Sequence, residues 1–521
     1  MQRWHWKRID YLVHRWVGVT LGLLMLSWFL SGIALMYYPW PAPTESRRLA
    51  LLTPLRMDSS VIGFAAAARV AEDAASSSTG ASSNAGGSRH GALVSGPLVG
   101  GRLMRWGGRV VYQLWRDRRG HEQPAAVVDA VTGALITPLD SATAIRVATD
   151  VVGTGQLVRG AKLLAHGDHY MMAGEYAASF PAYRVRFDDA RGTAVYVGQA
   201  GGEIVGIVTN LTRLTTWTGT VPHWLYFQWL YSRPELWTWA NLVLPSVAIV
   251  IALTGIVLGT HQLFPRRRRG EWRVSAYRGV SKWHHVAGVV FGTAVLTWTL
   301  SGVFEILGVS NEPRPGQWQR VSAGPTQWSA IHVGEADAVR LAATGEAAAA
   351  PVAVDLVALE GRVGYEVHFQ DRREVWVDAT TGAVRGEIAS RDAVRLADRV
   401  MGADTPIQNV ARITAYDTYY YSRHGRESHL PAWRVAFGDR AESVVYLDPV
   451  TGVPVGFVDA DTRAWRWLRD AMHCLDLPAI NNRRPLWDAI VLPLMIGGTL
   501  SAITGVWLLL RRVRRVIQAP P

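Results

Sequence analysis

The sequence predicts a membrane α-helical protein with four transmembrane helices, two α+β regions outside the membrane and a tandem internal duplication. Three observations support this fold class: four long apolar runs, basic residues confined to short segments, and motifs that occur twice. The chain has 521 residues, of which 49% are apolar. Its single cysteine, Cys474, excludes an internal disulfide framework and a thiolate-bound iron–sulfur cluster.

Four apolar runs are long enough to cross the hydrocarbon core of a bilayer, which takes roughly 20 helical residues. They cover residues 17–38, 236–263, 286–307 and 486–510. The first run is too long for a signal peptide and has no small-residue cleavage site before Tyr37. We therefore expect it to be retained as a membrane anchor.

The charge distribution predicts the topology. The net charge is +12, and nearly all of it lies in residues 1–15, 265–285 and 511–515. Because cytoplasmic loops are enriched in Lys and Arg, we expect these segments, and therefore both termini, on the cytoplasmic side of the membrane. Basic residues placed in this way do not indicate nucleic-acid binding.

The predicted organisation follows from the apolar runs and the charge together. In chain order it comprises a cytoplasmic N-terminus with the first transmembrane helix (1–39), an outer region on the opposite side of the membrane (40–235), a second helix (236–264), a basic cytoplasmic loop (265–285), a third helix (286–309), a second outer region (310–485), and a fourth helix with a cytoplasmic tail (486–521).

Repeated motifs indicate that the second half of the chain duplicates the first. The matching segments are His14–Gly22 with His284–Gly292, Phe180–Phe187 with Leu430–Phe437, and Thr254–Leu258 with Thr504–Leu508. Since each half begins on the cytoplasmic side, the halves should be related by a pseudo-two-fold axis along the membrane normal.

The two outer regions have the pattern of α+β domains. Helical periodicity near 59–75, 140–152, 329–344 and 390–401 precedes runs of alternating, β-branched residues. Several strands run into an Asp-x-x-Thr-Gly sequence, in which Asp caps the backbone and Gly supplies a positive φ. We interpret these aspartates as hairpin-turn residues and not as metal ligands; they are Asp129, Asp378 and Asp448.

The duplication separates four histidines from the other eleven. His14 matches His284 and His223 matches His473, whereas no other histidine has a histidine partner in the opposite half. His14 and His284, the inner pair, lie at the cytoplasmic starts of two helices. His223 and His473, the outer pair, lie just before the two returning helices. A site on the pseudo-axis takes one ligand from each half, which is the pattern of these pairs.

Two bis-imidazole sites at different depths of a membrane predict two b-type haems, with the four histidines as axial ligands of the haem iron. Glycines at i+4 and i+8 from His14 and His284 leave room for a flat group beside the inner pair. No Cys-x-x-Cys-His attachment sequence is present. Zinc fits less well, because structural zinc takes four ligands and each pair supplies two.

Some assignments stay open at this point. His285, His261, His166 or His169 could replace a proposed ligand. Five basic residues could neutralise haem propionates, although snorkelling and the positive-inside rule also explain them; they are Arg15, Lys282, Arg213, Arg463 and Arg466.

Four motifs resemble the PepSY-associated transmembrane proteins: His14-Arg15-Trp16-x-Gly18-x-x-x-Gly22, Tyr416–Tyr421, Met472–Asp476 and Arg484–Asp488. The resemblance covers nearly the whole chain. It implies PepSY-like domains in the periplasm and a di-haem, inner-membrane ferric-siderophore reductase. Such a protein takes electrons from a membrane quinol or a cytoplasmic donor and reduces a ferric siderophore during iron uptake.

The expected function is therefore transmembrane electron transport to periplasmic ferric iron, with no side chain acting as acid, base or nucleophile. The alternative is a cofactor-free PepSY membrane protein that regulates a protease or binds a peptide partner. The presence or absence of haem distinguishes the two hypotheses.

Overall fold

A computed structural model describes residues 5–38, 45–57, 60–78, 97–116, 124–136, 138–171, 176, 179–263, 274–308, 326–343, 349–359, 362–402, 405–422, 428–481 and 483–518. Residues 265–273 of the basic loop and His424 lie outside the described residues.

The helices are α1 (His5–Tyr37), α2 (Glu45–Ala50), α3 (Phe64–Ser78), α4 (Ser141–Val152), α5 (Asn210–Thr215), α6 (Val221–His223), α7 (Gln228–Tyr231), α8 (Pro234–His261), α9 (Val280–Leu307), α10 (Glu335–Ala342), α11 (Ser390–Met401), α12 (Ala460–Trp465), α13 (Met472–Cys474) and α14 (Arg484–Ile517). Two π-helical segments, Thr216–Thr220 and Arg466–Ala471, lead directly into α6 and α13.

Four of these helices are long and apolar enough to span a membrane, as the sequence predicts, so the chain is a multi-pass membrane protein. The candidate spans are Lys7–Tyr37, Pro234–His261, Val280–Leu307 and Arg484–Arg515. They pack in the cyclic order α1, α8, α9 and α14, which places α1 and α9 on one diagonal of the bundle. Apolar side chains from all four helices form one buried cluster, which includes Phe29, Ala252, Val295 and Met495.

The strands are β1 (Gly100–Trp106), β2 (Arg109–Trp115), β3 (Ala126–Asp129), β4 (Val158–Leu164), β5 (Ala182–Phe187), β6 (Ala194–Gly198), β7 (Ile204–Val208), β8 (Pro351–Leu359), β9 (Arg362–Phe369), β10 (Glu374–Asp378), β11 (Val384–Arg385), β12 (Ile407–Ile413), β13 (Ala432–Phe437), β14 (Val444–Leu447) and β15 (Pro454–Val458).

These strands form three antiparallel sheets. One has seven strands in the order β11-β10-β9-β8-β1-β2-β3, and the others have the orders β4-β5-β6-β7 and β12-β13-β14-β15. In the seven-stranded sheet β1 pairs with β8, with Gly101 opposite Leu356 and Met104 opposite Ala353. The two outer regions therefore share one continuous sheet.

The helices of the outer regions cover the sheets through alternating strand residues. Leu103 belongs to the cluster under α3 and α10, whereas its neighbour Met104 belongs to the cluster under α4. Helix α11 packs against the third sheet through Leu396 and Val400. The four predicted outer helices are confirmed, although the third covers only Glu335–Ala342 and follows a short 3₁₀ turn.

The predicted Asp-x-x-Thr-Gly hairpin turns are also confirmed. The side chain of Asp129 accepts hydrogen bonds from the backbone N–H groups of Val131, at 3.0 Å, and Thr132, at 2.9 Å. Gly133 has φ 74°. Asp378 and Asp448 form the same turn, each followed four residues later by a glycine of positive φ.

Candidate bis-histidine sites

The inner pair is formed across the helix bundle. His14 projects from α1 and His284 from α9, and the centroids of their rings are 6.2 Å apart. Each ring packs over a glycine of an adjacent helix: a Cβ at Gly255 would lie 2.8 Å from His14 Cε1, and one at Gly505 would lie 3.2 Å from His284 Cε1. The absent side chains at these glycines allow both imidazoles to enter the bundle.

The hydrogen bonds of the inner pair define which ring nitrogen carries the proton. Nδ1 of His14 lies 3.1 Å from the carbonyl oxygen of Ile251, and Nδ1 of His284 lies 3.1 Å from that of Ser501. A carbonyl oxygen only accepts, so each Nδ1 is the donor. The lone pair of each ring is then on Nε2, which is the state of an imidazole that binds a metal through Nε2.

The outer pair has a comparable geometry. The ring centroids of His223 and His473 are 6.0 Å apart. Nδ1 of His223 is 3.1 Å from Ser31 Oγ, and Nδ1 of His473 is 3.0 Å from Ser301 Oγ. Both serine hydroxyls have backbone carbonyl acceptors in their own helices, so they can accept from Nδ1–H and again leave Nε2 with its lone pair.

The backbone around the outer pair is unusual at the same place in both halves. A π-helical segment precedes each histidine, and such segments occur frequently at functional sites. Two residues after each histidine a leucine has a positive φ, 54° at Leu225 and 48° at Leu475. This conformation is unfavourable for a bulky side chain, so packing must hold it in place.

Both pairs have the separation that a shared metal requires. With a metal–imidazole bond of about 2 Å, each ring centre lies about 3 Å from the metal, and two opposed rings are about 6 Å apart. Among the described residues, no hydrogen bond engages Nε2 of any of the four histidines. Burial lowers the pKa of His473 and lowers that of His223 to about 3, which keeps the outer imidazoles neutral as ligands must be.

Open space lies one helical turn from each histidine of the inner pair, and two arginines close in sequence to the pairs have an unpaired donor. A Cβ at Gly18 would meet no atom within 4 Å, and one at Gly288 only Ser501 Oγ at 4.0 Å. Nε of Arg15, next to His14, and Nη1 of Arg466 are buried without a hydrogen-bond partner. These features fit a flat, anionic group such as a haem with its propionates.

Charged residues near the outer pair come from the second half of the chain. Arg469 forms a bidentate ion pair with Glu305 and a second pair, at 2.7 Å, with Asp470. Arg466 donates to the carbonyl oxygens of Thr418, at 3.0 Å, and Asp476.

The first half has uncharged residues at the corresponding positions. Thr216, Gly219 and Thr220 stand where the second half has Arg466, Arg469 and Asp470. The two ligand-bearing segments share their backbone shape but not their electrostatics.

The alternative histidines are placed differently. His285 is buried and uses both ring nitrogens, Nδ1 with Ser275 Oγ and Nε2 with the carbonyl oxygen of Gly259, each at 2.8 Å. It has no nitrogen left for a metal. His169 stacks on Trp217, with centroids 5.0 Å apart, and His166 is exposed. His261 lies at the exposed end of α8.

Three of the predicted propionate partners have other contacts. Arg213 donates to the carbonyl oxygen of Gly192 at 2.7 Å, and Arg463 donates to that of Ala441 at 2.6 Å. Lys282 lies 5.9 Å from the ring centroid of Trp283. Arg15 and Arg466 are the two of the five with an unpaired buried nitrogen.

The residues that orient the histidines were not identified from the sequence. Ser31 and Ser301 lie in the repeated Leu-Ser-Gly sequence, and Gly255 and Gly505 lie in the repeated Thr-Gly sequence. Their recurrence in both halves was the available signal, because a residue that orients a ligating histidine is expected to recur together with that histidine.

Comparison with known families identifies a PepSY domain, described as a peptidase propeptide and YPEB domain, at residues 334–388. The matched segment contains α10 and the strands β8 to β11. No curated protein matches the sequence. The chain is thus a membrane protein with four apolar helices and a PepSY domain in its second outer region.

Proposed function

We propose that this protein is an inner-membrane oxidoreductase that holds two b-type haems and carries electrons across the membrane to a ferric siderophore in the periplasm. The observation that supports this most directly is the geometry of the two histidine pairs. In both, the ring centroids are about 6 Å apart and Nδ1 is hydrogen bonded, so that two Nε2 atoms are available to one iron.

The proposal includes the tandem duplication and the topology. The four-stranded sheets have equivalent strand orders, and each ligand pair takes one histidine from each half. Both features are expected if the halves arose by duplication and are related by a pseudo-two-fold axis. With the basic segments in the cytoplasm, His14 and His284 would be the inner ligands and His223 and His473 the outer ligands.

A haem held by the two histidines of a pair would supply one-electron redox chemistry. The residues of this chain would supply the ligands, fix their tautomers and shield the sites from water. Ser31 of α1 contacts His223 of the outer pair, so α1 passes both histidine pairs. The 17 residues from His14 to Ser31 correspond to a rise of about 25 Å along the helix. This separation is comparable to the hydrocarbon thickness of a bilayer.

The overall reaction balances with a quinol or another cytoplasmic-side reductant as donor. A quinol releases two electrons and two protons when it becomes a quinone, and each electron reduces one ferric ion to a ferrous ion. The two protons pass to the solvent, and no side chain needs to act as acid, base or nucleophile because the electron transfer breaks no covalent bond in the chain or the chelate.

The test is haem quantification on the purified protein together with two ligand variants. We expect about two non-covalent haems per chain, one after His473→Ala and one after His284→Ala. The His473→Ala protein should keep an inner haem that its donor reduces but should not reduce ferric iron. Replacement of His429, which has no partner in the other half, should leave both spectra unchanged.

A colourless protein from haem-replete cells would contradict the proposal and favour the alternative, a PepSY protein that regulates a protease or binds a peptide. His223→Ala is the most demanding variant, because its segment differs most from its counterpart. A low-spin bis-histidine spectrum at both sites in this variant would show that the outer pair is assigned wrongly.

A further inference from the structure

A basic pocket lies against the first four-stranded sheet, outside the histidine sites. Its volume is about 420 Å³, within the range of roughly 300–1,000 Å³ typical of small-molecule sites. Four arginines line it, from β4, β5 and α5: Arg159, Arg184, Arg186 and Arg213. Asp189 is the one carboxylate among the lining residues, so the described pocket wall carries a net positive charge.

Not all of this positive charge is neutralised within the protein. Among the described residues, the side chain of Arg186 is exposed and forms neither a hydrogen bond nor an ion pair. Nε of Arg184 is buried and has no hydrogen-bond partner, although its Nη1 pairs with Asp168 at 2.8 Å. Arg159 pairs with the exposed Asp188, and solvent screens such a pair strongly.

The second four-stranded sheet shows which part of the pocket is structural. In the first sheet Asp168 accepts from Arg184 and, at 2.7 Å, from the hydroxyl of Tyr196. The second sheet has the same arrangement, in which Asp417 pairs with Arg434 at 3.5 Å and accepts from Tyr446 at 2.7 Å. Because both sheets have this arrangement, we assign it a role in stabilising the fold and not in binding a ligand.

The other two arginines are present in the first sheet only. Arg159 is the extra residue of the β4 bulge, and the matching residue of the β12 bulge is Gln408. Arg186 pairs with Gly160 across the strands, and the matching residue opposite Asn409 is Ala436. The fold therefore does not require a cation at either position, and both positions face a cavity.

The pocket is connected to the outer histidine pair by one helical run. Arg213 lines the pocket from α5, which continues through the π-helical segment Thr216–Thr220 to His223. The ten residues from Arg213 to His223 correspond to about 15 Å along a helix. A ligand in the pocket would lie on the same side of the membrane as the outer pair and close to it.

We infer that this pocket binds an anionic chelate that presents carboxylates, and that this chelate is the ferric substrate. The planar guanidinium of arginine donates two parallel hydrogen bonds to a carboxylate, which explains why arginines and not lysines line the pocket. The identification of the ligand as ferric rests on the proposed function, whereas the preference for an anion rests on the pocket alone.

The test is calorimetric titration of the full-length, purified protein with ferric citrate at low and moderate salt. The double variant Arg159→Gln/Arg186→Ala has at these two positions the residue types found in the second four-stranded sheet, at Gln408 and Ala436. Loss of two charge-assisted contacts should weaken binding about 10- to 100-fold and reduce its salt dependence. A cationic hydroxamate chelate of ferric iron should bind weakly to both proteins.

Two controls guard against general effects. Arg412→Ala removes an exposed, ion-paired arginine of the second sheet and should leave the affinity unchanged. Arg186→Ala alone removes an exposed side chain without a partner, so the protein should fold normally and still bind more weakly.

The haem content of the same samples separates this inference from the proposed function. If the purified protein contains no haem but still binds ferric citrate through these arginines, the anion site is supported and the redox function is contradicted. Equal affinity of the wild type and the double variant, in a protein with two haems, would overturn the pocket assignment and leave the redox function intact.

Discussion

Gly18→Ala gives opposite results depending on whether a cofactor lies beside the inner pair. A Cβ at this position meets no atom of the described chain within 4 Å. In a protein without cofactor, alanine is thus sterically free and should stabilise α1 by about 0.5–1 kcal/mol relative to glycine. If a flat ring packs against the glycine backbone, the added methyl group overpacks the site, which costs about 1–3 kcal/mol.

The expected result is a 5- to 150-fold weaker inner haem site, which corresponds to that energy at about 1.4 kcal/mol per tenfold. The assay is pyridine haemochrome quantification per chain at limiting haem, with the outer haem of the same molecule as internal control. Gly288→Ala, the matching change in α9, should behave alike. Two fully occupied haems and a raised unfolding temperature in both variants would refute the reasoning.

Three further predictions concern other parts of the chain. Ser301→Ala removes the acceptor of His473 Nδ1–H and should lower the haem affinity of the outer site about 10- to 100-fold, measured by haem titration of the apoprotein. His285→Gln should keep both haem spectra, because both of its ring nitrogens already have protein partners. Burial alone would lower the pKa of His368, but the carboxylates of Asp355 and Glu374 raise it from 6.5 to about 10. Its stabilising contribution is therefore complete below pH 6.5 and lost as the pH rises towards 10, and His368→Gln should flatten the pH dependence of the unfolding midpoint over that range.

The sequence predicted the parts of the fold that depend on local patterns. The four membrane helices follow from the length of the apolar runs, and the hairpin turn at Asp129 follows from its side chain and from Gly133. The pairing of His14 with His284 was predicted from the repeat alone, and the structure brings the two rings together.

Other features depend on contacts between distant segments and have no local pattern. The pairing of β1 with β8 joins strands from opposite halves, and no local pattern in either strand specifies the other as its partner. The π-helical turn before His473 arises where Arg466 and Asp470 are both buried against the second outer region. The basic pocket combines residues of two strands and a helix, so sequence spacing did not indicate it.

The continuous seven-stranded sheet also determines the order in which this protein can be assembled. About 250 residues separate Gly101 in β1 from its partner Leu356 in β8. At a synthesis rate of about 5–20 residues per second, β1 waits roughly 15 to 50 s for β8 to be made. During that time its unpaired edge is exposed and can pair with another chain. Synthesis of β8 therefore completes the sheet that β1 begins, and a chain truncated after α8 would keep an open, aggregation-prone strand.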